Sequence, residues 1–82
     1  MAVNLQIDRA VILTDGKLEI NFSILVNGQV VASDSEAFPK PHELTLAQIL
    51  ERLKDRVRSL KEHYKTKAQV DTLVGQTIDV EP

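Results

Sequence analysis

Residues able to do chemistry are few in this chain and widely spread. His42 and His63 are its two histidines. His42 sits in a proline-rich stretch and His63 on the flank of a helical pattern. Neither has a second ligand at metal-binding spacing. Glu43 beside His42 reads as polar surface. Asp34 and Glu36 place two carboxylates on one loop, short of the roughly six oxygens that calcium takes. Ser23, Ser33, Ser35 and Ser59 have no recognisable base partner. Cysteine is absent, which removes disulfides and thiolate metal sites. Gly16, Gly28 and Gly75 fall at turns and at a helix end, not in a phosphate loop. The expectation is a non-enzymatic protein with no cofactor, no metal and no small-molecule substrate, acting through contacts with other protein subunits.

The elements around these residues set the architecture. Eighty-two residues suffice for one small domain. Apolar residues make up 43% and aromatics only 4%, so the core must be aliphatic. Val3, Leu5, Ile7, Val11 and Leu13 occupy odd positions, with Arg9 interrupting. Leu18, Ile20, Phe22, Ile24 and Val26 occupy even ones. Both runs have the period of two of half-buried strands. Asp15-Gly16 between them suits a two-residue turn. That turn pairs Leu13 with Leu18, Val11 with Ile20, Ile7 with Ile24 and Leu5 with Val26, all on one face. Arg9 then faces Phe22, either laying its stem over the ring or holding an anion. Asn27-Gly28 repeats the turn signal and returns Val30 to Ser33 as a third strand, with Val31 on the core face. Leu25, Val30 and Ala32 point to the other face, near Ile12 and Ala10. That second face is either ordinary apolar surface or a contact patch for another subunit.

Residues 1–35 are thus expected as a β-meander and residues 36–44 as a proline-containing connection. A long helix is expected over 45–65. Thr45 and Gln48 form a capping box, and Leu44 and Ile49 stand where a hydrophobic staple packs. Leu46, Leu50, Leu53, Val57, Leu60 and Tyr64 form its seam. The seam fits a coiled coil as well as a core stripe. Ile49 widens it, and Arg56 would approach Lys61 in a parallel self-pair, so packing on the chain's own sheet is preferred. A short second helix is expected over 66–75, capped by Thr66, with Val70, Leu73 and Val74 inside and Gly75 as its stop. Residues 76–82 then alternate as a last strand or arm, with Ile78 and Val80 on one side. The fold class is α+β: three antiparallel strands plus a C-terminal strand, covered by one long amphipathic helix and a short one.

Charge narrows the partners. Net charge is −2, against general nucleic-acid binding. Residues 1–43 carry three bases and six acids, whereas seven of the ten bases fall between Arg52 and Lys67. Arg52, Lys54, Arg56, Arg58, Lys61 and Lys65 surround the helix's exposed arc, with Glu51, Asp55 and Glu62 among them. The arrangement reads as a solvated face or as a docking face for an acidic protein. The longest apolar run is too short to span a membrane, and the N-terminus lacks a basic-then-apolar signal. A soluble protein made in the cytosol is expected.

Tyr64, Thr66, Lys67, Val70, Asp71 and Leu73 resemble a short element of tailed-bacteriophage fibre and baseplate proteins. That element reads Tyr-Thr-Lys, two variable residues, Val-Asp, one variable residue and Leu, and it opens a helix beside a trimer axis. Lys65 is an insertion within it here. The resemblance covers about a tenth of the chain and transfers no catalytic residue. It implies a structural role in a virion, synthesis in the host cytoplasm, and self-association. Contact residues expected on these grounds are Leu25, Val30, Arg52, Arg56, Lys61, Tyr64, Val70, Leu73, Ile78 and Val80.

Overall fold

The computed structural model describes residues 2–81. Met1 and Pro82, the outer ends of the expected meander and arm, lie outside the described residues. Three strands, β1 (Val3–Ile12), β2 (Leu18–Val26) and β3 (Gln29–Phe38), form an antiparallel sheet in the order β1-β2-β3. A 3-10 turn at Pro41–Glu43 leads into helix α1 (Leu46–Ser59), followed directly by α2 (Lys61–Asp71). The α+β class and the three-stranded meander therefore hold. The fourth strand does not: residues 76–81 have no regular secondary structure.

The first hairpin differs from its expected register for two physical reasons. Its loop has three residues rather than two. Gly16 N–H donates to Leu13 O and Leu13 N–H donates to Lys17 O. Gly16 takes φ +87°, and Asp15 is not among the residues at positive φ. This is a turn completed by a left-handed glycine, and it sets Ile12 opposite Leu18 and Ala10 opposite Ile20. A bulge then leaves Asp8 unpaired between Ile7↔Phe22 and Arg9↔Asn21. The two one-residue slips add to two, so Val3, Leu5 and Ile7 return to the face of Phe22, Ile24 and Val26. Arg9 consequently lies opposite Asn21, away from Phe22.

The second turn forms as its residues demand. Asn27 and Gly28 both take positive φ, +52° and +81°, as the two-residue hairpin turn requires. Leu25 pairs with Val30. A bulge at Val31 then sets Ile24 opposite Ala32, Phe22 opposite Asp34 and Ile20 opposite Glu36. Val31 is buried in the core, as its place in the pattern requires. The strand runs on through Asp34 and Glu36 to Phe38, so the expected loop carboxylates belong to an edge strand. Of the anticipated semi-apolar second face only Leu25 and Val30 remain, because Ala10, Ile12 and Ala32 lie opposite core-facing residues of β2, while Val11, expected opposite Ile20, pairs with Glu19 and joins that outer face.

Helix α1 begins at the expected cap. The Thr45 hydroxyl accepts from Gln48 N–H at 3.1 Å, and the Gln48 side chain accepts from Thr45 N–H at 2.9 Å. The helix lies on the sheet, but through Ile49, Leu53 and Val57. Leu46, Leu50 and Leu60 of the expected seam are exposed. The chain breaks at Leu60 (φ −115°, ψ 14°). Ser59 Oγ donates to Arg56 O at 2.8 Å, a local back-bond that competes with helix continuation. Residues 66–71 continue α2 rather than opening a new helix, so Thr66 is internal to α2 and not a cap. Thr45→Ala is expected to cost about 1 kcal/mol. Thr66→Ala is expected to change stability by less than about 0.5 kcal/mol. Paired urea denaturation curves check both.

The core comprises Ile20, Phe22, Ile24, Val26, Val31, Phe38, Ile49, Leu53, Val57 and Tyr64. It lies between β2, β3 and one side of the helices. The molecule measures 63 × 23 × 17 Å with a radius of gyration of 16.9 Å, against about 12 Å for a compact chain of this length. The extra length comes from the far half of α2 and the C-terminal residues beyond it. Tyr64 and Ala68 pack on the core, and every described residue from Gln69 onward is exposed.

Candidate interaction surface

Helix α1 is held toward the β3 side of the sheet by Arg56. Its guanidinium reaches the Asp34 carboxylate, the Glu36 carboxylate at 3.5 Å and the Ser35 carbonyl at 2.9 Å. It also lies 5.5 Å from the centre of the Phe22 ring. The arginine over Phe22 is therefore Arg56, and Arg9 takes no part. Because α1 is drawn to β3, the core face of β1 is left uncovered on its outer side.

A groove results, with a volume of about 730 Å³. Val3, Leu5 and Ile7 of β1 and Leu50 and Val57 of α1 give it an apolar floor. Lys54, Arg58, Lys61 and Lys65 stand around it. These four recur at steps of four, three and four, which is one helical stripe. Among the described residues its lining includes no carboxylate. Lys54, Arg58 and Lys65 share their charge with Glu51, Asp55 and Glu62 on the helices themselves. Lys61 has no ion pair among the described residues.

The second surface is the C-terminal arm. Val70 is 52% exposed, Leu73 55%, Val74 86%, Ile78 69% and Val80 86%, so Val70, Leu73 and Val74 do not form the expected inner face. Turns run from Thr72 to Gly75, where φ is +86°. Hydrogen bonds made by the arm's described residues stay within the arm or reach the end of α2. Asp79 and Glu81 alternate with Ile78 and Val80, and no base follows Lys67.

The ten expected contact residues thus separate. Val70, Leu73, Ile78 and Val80 share the arm, and Lys61 stands on the groove. Leu25 and Val30 pair on the outer sheet face. Arg52 is exposed beside a smaller cleft of about 200 Å³ with Phe38, Pro39 and Leu44. Arg56 is committed inside the chain, and Tyr64 is buried. Sequence reasoning missed Val3, Leu5, Ile7, Leu50 and Lys54 as one site. Pooling Arg52 and Arg56 with the other bases hid the 54-58-61-65 stripe. Neither side chain belongs to it.

Among the described residues no three His, Asp or Glu side chains gather as a metal site. No helix among the described residues is long and apolar enough to cross a membrane. Comparison with protein-family models, with curated proteins and with solved structures found no match to this chain.

Proposed function

We propose that this chain is a non-enzymatic structural subunit that assembles through protein–protein contacts. The setting suggested is a tailed-phage virion, at the tail, neck, baseplate or fibre base. The observation that carries the assembly role is the C-terminal end: five large apolar side chains, Val70, Leu73, Val74, Ile78 and Val80, held in solvent at one end of a rod. Burying such side chains stabilises a contact by about 1.5–3 kcal/mol each, so their natural state is against another protein. The virion setting rests on the Tyr64–Leu73 resemblance alone. Tyr64 to Asp71 of that match lie inside α2 and Leu73 in the turn beyond it, whereas the phage element opens a helix. On this reading the protein is made in the host cytoplasm and carried into the particle.

A second reading keeps its own observation. The stripe of Lys54, Arg58, Lys61 and Lys65 suits a regulatory module that docks on an acidic partner. Arg56, first expected in that role, is spent on Asp34 and Glu36.

The deciding experiment is chemical cross-linking and co-purification of the tagged full chain from cells that express its natural gene neighbours. Assembly predicts recovery in a multi-subunit complex or particle. A regulator predicts one soluble acidic partner. Recovery of no stoichiometric protein, itself included, overturns both.

A further inference from the structure

The groove and the arm match each other in charge and in polarity, and their pairing, which rests on the assembly reading, would supply its contact. We infer that the groove beside β1 receives the C-terminal arm of a second copy of this chain. The arm would lie extended in the groove, Ile78 and Val80 down on Leu5, Ile7 and Leu50, Asp79 and Glu81 up at the lysine rim.

Three observations carry this. Charge is complementary: the groove lining has four cations and no carboxylate among the described residues, three of them sharing their charge with Glu51, Asp55 and Glu62 and Lys61 with no ion pair there, and the arm has Asp79 and Glu81 and no base. Polarity is complementary in the same order. An extended segment alternates its side chains, so apolar Ile78 and Val80 share one side while the acids share the other. The groove likewise has an apolar floor and charged edges. Access is also suitable. β1 is an edge strand, and its stretch from Val3 to Ile7 carries no charge. The opposite edge, β3, is occupied by inward-facing Asp34 and Glu36, the kind of charge that blunts strand edges.

The occupant is a second copy because the arm leaves α2 at the end remote from the core and bonds only locally. Arm and groove are different surfaces. Two copies can exchange arms reciprocally, or a series can join head to tail.

Light scattering of the full chain tests the inference with two variants. Ile78→Asp/Val80→Asp ruins the arm and leaves the groove. Lys54→Glu/Lys61→Glu ruins the groove rim and leaves the arm. All four positions are exposed, so circular dichroism should show both variants folded. The wild type is expected to associate, more weakly as salt rises. Each variant alone should lose affinity by at least about fifty-fold. Mixed together, the two retain one intact arm and one intact groove and should form a heteromeric complex.

A synthetic peptide covering residues 72–82 supplies the second readout. It should bind the arm variant and not the groove variant. Association that survives in both variants overturns the inference while leaving assembly through another surface. A monomeric wild type whose arm variant alone takes up the peptide means the arm folds back into its own groove, and this overturns the second copy as occupant. A monomer with no peptide binding overturns arm and groove as partners. Co-purification then judges the assembly reading separately.

Discussion

Leu53→Ala is expected to destabilise the protein by about 3 kcal/mol, lowering Tm by roughly 12–24 °C for a domain of this size. Leu53 is fully buried, and with Phe22 and Ile24 it is one of the three largest side chains without solvent contact. The core is a single layer between one sheet face and one helix side. Atoms removed from its middle leave a hole that the surrounding sheet and helix close only in part. Leu50, one turn away on the same helix, is 43% exposed. Leu50→Ala should cost less than about 1 kcal/mol. Calorimetry on the two variants reads the rotation of α1 directly. Equal losses would mean that the helix does not dock through Ile49, Leu53 and Val57.

Arg56→Ala should cost about 2 kcal/mol, more than an ordinary surface ion pair. Several effects converge on this side chain. It bridges two carboxylates and a carbonyl of β3 and lies against the Phe22 ring. The Arg56 side chain is about one-third exposed, so solvent screens part of the ionic contribution. Without it Asp34 and Glu36 keep their mutual repulsion, and Glu36 Oε2, buried with no hydrogen-bond partner, loses its nearby cation. Arg56→Lys should recover about half the loss, since lysine restores charge but neither the fork nor the flat stacking face. Urea unfolding measures both. In an Asp34→Asn/Glu36→Gln background the cost of Arg56→Ala should fall to about 1 kcal/mol. An unchanged cost would assign the whole effect to packing on Phe22.

What could be read from the sequence was what is decided locally. The Thr45–Gln48 box and the Asn27-Gly28 turn each depend on a few adjacent residues, and each formed, whereas α2 ends at Asp71 and Gly75 closes the turns beyond it. Register did not follow from Asp15-Gly16, because the same pair serves a two-residue turn and the last positions of a three-residue loop. The bulges at Asp8 and Val31 depend on pairing with another strand, which alternation along one strand does not record. The break at Leu60 has a single local mark, the Ser59 hydroxyl. Residues 76–81 have the alternation of a strand, but a strand needs a neighbour to bond. Of the proposed interaction surface, the arm's apolar residues and Lys61 could be named from the sequence. The β1 floor could not, because which strand a helix leaves uncovered depends on Arg56 choosing the far edge.

The 63 Å outline also governs how the protein travels through a matrix or a centrifugal field. A thin particle drags more water per unit mass than a sphere. The lone 9.2 kDa chain should elute ahead of compact standards of equal mass and sediment more slowly than they do. Early elution paired with slow sedimentation is therefore the hydrodynamic signature of a single elongated chain, whereas true association raises the sedimentation coefficient.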